Sequence, residues 1–204
     1  MRFAAASSIL ICAVALLNSG CAQPEVYTEP YVTLAPVDFT PPIPVTLKVT
    51  YSKDGKADPR KALDIQTTLA DALGKGPTFR PVDPASAAGS LEITVGDTAG
   101  TGKKSVLAGI TASVGHVLVS EQEFSPQGRR TARTLEVSIR YTPASGPVSV
   151  QVYTSALVTV TNNTQEPTDL VPLQDRTHAE LVLIENDLNG FATELHKNSA
   201  TAAP

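Results

Sequence analysis

The sequence predicts an α+β domain of two layers, with a mostly antiparallel sheet of about four strands and two helices on one face, after a proline-rich tether. Three observations carry this. Apolar residues alternate with polar ones in four stretches, the period of a strand with one dry face. Two further stretches carry apolar residues at spacings of three and four behind capping signals. Every strand has a polar alternate face, so helices are expected to cover one side of the sheet only.

The first strand pattern is Val45, Leu47, Val49 and Tyr51, set against Thr46, Lys48, Thr50 and Ser52. Asp58 then offers a helix cap and Pro59 suits a first turn. Ile65, Leu69 and Leu73 recur every four residues, and Gly74 and Gly76 follow as stop signals. Leu91, Ile93 and Val95 form the second strand. Leu135, Val137, Ile139 and Tyr141 form the third, and the turn Pro143-Ala144-Ser145-Gly146 leads into Val148, Val150, Val152, Ala156, Val158 and Val160 as its hairpin partner. Thr177 and Glu180 have capping-box spacing. Leu181, Ile184, Leu188, Phe191 and Leu195 then mark a long closing helix, interrupted by Asn189-Gly190.

Met1-Arg2 followed by the apolar stretch Phe3 to Leu17 and then Asn18-Ser19-Gly20-Cys21 has the layout of a cleaved export signal. The apolar stretch is shorter than the roughly 20 residues a spanning helix needs. The expected division is 1–20 signal peptide, 21–44 tether, 45–197 single domain and 198–204 disordered tail. About 184 residues would remain after cleavage, enough for one core. A net charge of −4 suggests neither nucleic acid nor an acidic surface as partner. Cys12 lies within the signal, so Cys21 would be the only mature cysteine and no intramolecular disulfide could form. With no tryptophan and 5% aromatic residues, the core must rest on Val, Leu, Ile and Ala.

The sequence from Asn18 to Cys21 resembles a bacterial lipoprotein signal, which implies that Cys21 becomes the first mature residue and carries acyl chains. The family pattern has Leu, Val or Ile where Asn18 stands, with Leu17 one place earlier. Cleavage by the ordinary signal peptidase, for instance after Ala22, is the rival reading and would leave a soluble periplasmic protein. Ala22 behind the cysteine resembles an address to the outer membrane. The order of elements, with the helix of Ala57 to Gly76, is similar to small outer-membrane lipoproteins, including the lipopolysaccharide-assembly lipoprotein and the auxiliary lipoproteins of ABC-type transport. Prolines 24, 30, 36, 41, 42 and 44 then read as a semi-rigid spacer off the membrane.

The motifs argue against several activities. Thr94 to Ser105 is glycine-rich, follows a strand and carries a lysine, as a phosphate loop would. Counting back from Gly102-Lys103, however, puts Asp97 at the first glycine position, and Lys104 stands where the magnesium-binding hydroxyl belongs. No nucleotide, and no other cofactor, is expected. His116, His178 and His196 are far apart and no nucleophile elbow occurs. Asp175, His178 and Glu180 read as helix-start residues favoured by the dipole rather than as metal ligands. Asn162-Asn163-Thr164 matches a glycosylation sequon but reads as a turn.

Binding has more support. Ser105 to Ser120 is an apolar run laced with Gly109 and Gly115, either buried under a loop or exposed to lipid or a partner. Lys103 and Lys104 on one side of it, with Arg129, Arg130 and Arg133 on the other, could form a cationic rim suited to phosphate-bearing headgroups. Tyr153 and Leu157 are expected on the outward face of the last strand, among Ser149, Gln151, Ser155 and Thr159, as a small docking spot. The expectation is a non-enzymatic, lipid-anchored scaffold or accessory subunit of an envelope assembly or transport machine, on the periplasmic face of the outer membrane and bound to an envelope protein. The alternatives are a module for anionic lipid or lipopolysaccharide, and a hydrolase whose site sequence does not show.

Overall fold

The computed structural model describes residues 25–99, 124–125, 128–161 and 170–201. Cys21, Lys103, Lys104, His116, the apolar run 105–120 and the sequon at 162–164 lie outside them. The described chain is α+β. Its strands are β1 (Glu25–Thr28), β2 (Ile43–Lys53), β3 (Lys56–Ala57), β4 (Phe79–Pro81), β5 (Gly89–Ala99), β6 (Phe124–Ser125), β7 (Gly128–Pro143), β8 (Ser149–Thr161) and β9 (Val171–Leu173), with helices α1 (Pro59–Lys75) and α2 (Arg176–Thr201). The sheet thus has nine strands, not about four. Its order is β3-β2-β5-β7-β8-β1-β9, with β4 beside β2 and β6 beside β7.

Four long strands form the centre. β2 and β5 pair in parallel, with α1 between them in sequence, and β5, β7 and β8 pair antiparallel. Their register stacks Tyr51, Val95 and Val137 in one row, then Val49, Ile93 and Ile139, then Leu47, Leu91 and Tyr141. Leu91, Ile93, Val95, Leu135, Val137 and Ile139 are fully buried, and both helices pack on this same face. The outward face carries Thr46, Lys48, Thr50, Glu92 and Thr94, the polar alternates of the strand pattern. Asp54-Gly55, both at positive φ, close the tight β2–β3 turn, as an Asp-Gly pair does readily.

α1 starts where the sequence places it. The Asp58 carboxylate accepts the Lys61 N–H at 3.0 Å, Pro59 occupies the first turn, and Ala62, Ile65 and Leu69 turn inward. α2 differs at its start. Asp175, not Thr177, caps it, accepting the His178 N–H at 2.9 Å. Glu180 is thereby freed from a capping role. α2 also runs on to Thr201, so the expected disordered tail from 198 is largely helical.

Two expectations about the N-terminal side and β8 are corrected. The fold does not begin at residue 45. Val26, Tyr27 and Thr28 are buried in β1, which pairs with β8 and β9. The proline-rich stretch beyond it is an arm laid on the helices: the Leu34 N–H donates to Asn186 Oδ1 at 2.7 Å, and Asn189 Nδ2 donates to the Leu34 carbonyl at 2.9 Å. Phe39 stacks edge-on against His196, with ring centroids 5.4 Å apart. Prolines prevent a ladder there, and side chains satisfy the arm instead.

The second correction concerns the faces of β8. Tyr141 pairs with Ser149, Val137 with Tyr153 and Arg133 with Leu157, so Tyr153 and Leu157 share the helix side with the core of β7. Leu157 is 2% exposed, not an outward docking spot. The valines take the outward face, where Val158 and Val160 are buried in a second cluster with Tyr27, joined by Ala132 and Leu170. A one-residue change of register exchanges every side chain between faces, and here the hairpin connection sets that register.

Candidate functional site

Two chemically distinct regions lie at opposite ends of α2. The first is a buried ionic network at its start. Asp97 continues the inward alternation of Leu91, Ile93 and Val95, and Glu180 follows the inward stripe of α2, so both carboxylates enter the core at 1% exposure. Arg133 Nε donates to Asp97 Oδ1 at 2.7 Å and its terminal amine reaches Asp54 at 2.8 Å. Arg176 spans both acids, at 2.7 Å to Asp97 Oδ2 and 3.0 Å to Glu180 Oε1. The Lys61 ammonium stands 3.0 Å from Glu180 Oε2, off the hydrogen-bonding direction, and donates to Thr177 Oγ1 at 3.1 Å.

The Tyr51 hydroxyl sits between the acids, 3.1 Å from Asp97 and 3.3 Å from Glu180. Burial, then the charges of Glu180 and Asp97, push its ionisation well above the ordinary range, so it stays a neutral donor. Asp54 is held below the usual carboxylate range by the Ala99 N–H and by Arg133. Three acids thus meet three bases, and the network ties the β2–β3 turn, the end of β5, β7 and the starts of both helices together. Paired charge of this kind clamps elements together.

The second region is the groove between β8 and the later turns of α2, about 210 Å³ in volume and lined by Val148, Ser149, Val150 and Gln151 below and Phe191, Glu194, Leu195 and Asn198 above. Behind it, the Tyr153 hydroxyl donates to Gln151 Oε1 and packs near Gly190, where an added Cβ would stand 3.4 Å from the Tyr153 oxygen and 3.2 Å from Leu34 Cδ1. Asp187 lies on the inward face of α2, with Oδ2 lacking a hydrogen-bond partner. Burial raises its pKa to about 7.

Of the sequence-derived candidates, Arg133 is consumed by the network rather than presented to a headgroup. Arg129 and Arg130 are placed by backbone at the start of β7, paired with Thr161 and Val160. Tyr153 and Leu157 lie under α2. His178 and His196 share α2 about 27 Å apart along its axis, so they form no joint site. Asp175 caps the helix while Glu180 is buried, so the two carboxylates have separate roles. Among the described residues no helix is long and apolar enough to cross a membrane, and no cluster of three metal-ligating side chains occurs. The network itself went unnoticed in the sequence. Its signal was an acid at an apolar-periodic position, Asp97 on a strand and Glu180 on a helix.

Compared with models of known protein families and with curated proteins, the chain matches none.

Proposed function

We propose that the protein is a lipid-anchored, non-enzymatic scaffold or accessory subunit of a cell-envelope assembly or transport machine, held close against the periplasmic face of the outer membrane. The supporting observation is the position of β1. Only Ala22, Gln23 and Pro24 separate Cys21 from Glu25, and Glu25 pairs with Val160 inside the sheet. An acylated Cys21 would hold that end of the sheet within about 14 Å of the bilayer surface, four extended residues away. Asn186 and Asn189 hold the arm on α2, so its prolines lengthen no tether.

A second reading is favoured by the register at the same end. Arg129 and Arg130 pair with Thr161 and Val160, the latter also the partner of Glu25, so two cationic residues of the expected rim stand at the anchored end of the sheet. This supports contact with anionic headgroups there as a supplement to the anchor.

The test is mass spectrometry of the N-terminal peptide and fractionation of a Gram-negative host expressing the full chain. Acyl-Cys21 in the outer-membrane fraction, with Cys21→Ser moving to the soluble fraction, is the expected result, and gentle crosslinking should recover a stoichiometric membrane partner. Soluble, unacylated protein processed after Ala22 would overturn the anchor. Failure to recover any partner would remove the accessory role. Arg129→Glu with Arg130→Glu should weaken binding to vesicles containing anionic lipid, and unchanged binding would remove the second reading.

A further inference from the structure

We infer that the N-terminal half of β8 is a docking edge for an extended segment of a partner polypeptide, which adds as a strand beside Val150, Val152 and Thr154. β8 is thirteen residues long, but β1 pairs only with its stretch Leu157 to Val160. Continuing β1 would bring Glu29 and Pro30 alongside Ala156 and Ser155. Pro30 has no N–H for a ladder, and the chain turns onto α2 instead. Ser149 to Ser155 therefore has β7 on one side and no strand on the other among the described residues.

The direction of the free groups follows from one contact. The Thr28 hydroxyl donates to the Ala156 carbonyl at 3.0 Å, so Ala156 points toward β1. Strand alternation then aims the N–H and C=O groups of Val150, Val152 and Thr154 the same way, away from β7 and toward the side where no strand lies among the described residues. The opposite margin of the sheet is treated differently. There Gln66 Oε1 accepts the Val49 N–H at 3.0 Å, the Asp58 N–H donates to the Tyr51 carbonyl at 2.9 Å, and β3 and β4 cover the two ends of β2. Natural edges are blunted by charge, proline or bulges. The stretch Ser149-Val150-Gln151-Val152-Tyr153-Thr154-Ser155 has no charge and no proline, and its pairing with β7 is unbroken.

The surroundings define the occupant. On the outward face, Val158 is buried because Tyr27 of β1 lies across from it, whereas Val150 and Val152 are only partly buried, with no strand across from them among the described residues. An incoming strand with β-branched or aromatic residues at those positions would repeat what Tyr27 does. Its other face enters the groove beneath Phe191, Glu194 and Leu195, so that face must be bare. A second copy's β8 does not meet this requirement, because its helix-side residues, Tyr153 and Leu157, are already packed under its own α2. The edge thus suits strand addition by a segment without a helix of its own, main-chain bonds giving affinity and the alternate side chains giving selectivity.

The experiment is amide hydrogen exchange by NMR on the purified full chain, alone and with a pool of capped heptapeptides alternating Val, Ile or Tyr with Ser, Asn or Gln. In the protein alone, the Val150, Val152 and Thr154 amides should exchange rapidly while those of Gln151 and Tyr153, aimed at β7, stay protected. Peptides should slow the three edge amides at least tenfold, and Val152→Pro, which removes an edge N–H but no bond of the sheet, should abolish this. Val152→Lys, which keeps the N–H, should weaken binding at least tenfold. Edge amides protected in the dilute monomer, protection that appears only as sedimentation shows a dimer, or peptide protection elsewhere would each overturn the proposal. Neither anchor nor bilayer enters the measurement, so this inference and the proposed function fail separately.

Discussion

Arg133 and Asp97 form a 2.7 Å ion pair inside the protein, the carboxylate 1% exposed and the guanidinium side chain 16%. Their Cα atoms lie on adjacent strands, two positions apart in register, since Asp97 pairs with Leu135 and Arg133 with Ala99. Desolvation makes such a pair a weak source of net stability, yet removing one partner strands the other charge. Arg133→Ala leaves Asp97 Oδ1 without its partner while Arg176 still holds Oδ2 at 2.7 Å, so it should cost about 1.5–3 kcal/mol in urea unfolding. Lys48→Ala is the contrast, because Lys48 and Glu92 stand 3.7 Å apart on the open face at 67% and 42% exposure. That loss should stay below about 1 kcal/mol. Equal effects of the two substitutions would show that the network is not buried in solution.

Asp187 gives the fold a dependence on pH of its own. It is buried, one oxygen lacks a partner, and its pKa is about 7 rather than the usual 3.8. A carboxyl whose pKa is raised on folding favours the folded state fully below its unfolded pKa. That advantage is lost as pH rises toward 7, because the unfolded chain releases the proton first. Stability should fall between about pH 4 and pH 7 by up to roughly 4 kcal/mol, the ceiling set by the size of the shift. Asp187→Asn should remove this component, leaving the variant more stable than the parent at pH 8 and close to it at pH 4. Parallel pH profiles for the two proteins would refute the assignment.

The central strands and both helices were legible because their signals are local. Asp58 and Pro59 announce α1, and Leu91, Ile93 and Val95 place β5 by period alone. β8 was misread for a reason alternation cannot overcome. Both of its faces are apolar in part, Leu157 inward and Val158 and Val160 outward, so the choice of face depends on the connection from β7 rather than on composition. β1 was missed because four residues among prolines give no periodic signal; only pairing with β8 and β9 defines it. The ionic network needed tertiary information. Asp97, Arg133 and Glu180 are separated by tens of residues, and only the sheet register and the α2 packing bring them together.

The arm is held in two places, and these can be separated. Near α2, Asn186 and Asn189 bracket Leu34 from both sides of its peptide groups, while farther on Thr78 Oγ1 donates to the Val37 carbonyl at 2.7 Å and the Phe39 N–H donates to the Pro77 carbonyl. Asn186→Ala with Asn189→Ala should raise exchange at the Leu34 amide at least tenfold while leaving the Phe39 amide unchanged. Two hydrogen bonds at about 1 kcal/mol each set the cost in global stability at roughly 2 kcal/mol or less. If Phe39 loosens in step with Leu34, the arm opens as one unit.

The orientation of β8 has its own test, because two apolar residues on the same strand should behave in opposite ways. Leu157 is buried against the main core at 2% exposure, so Leu157→Ala creates a cavity there. The expected loss is about 2–5 kcal/mol, measured by chemical unfolding. Val150 stands on the outward face with no strand beyond it among the described residues, and Val150→Thr keeps its branched shape and strand preference. Its change should stay within about 0.5 kcal/mol, as for surface substitutions generally. The outward placement of Tyr153 and Leu157 that alternation suggests requires the reverse order, with Val150→Thr the damaging change, so the two variants decide the register between them.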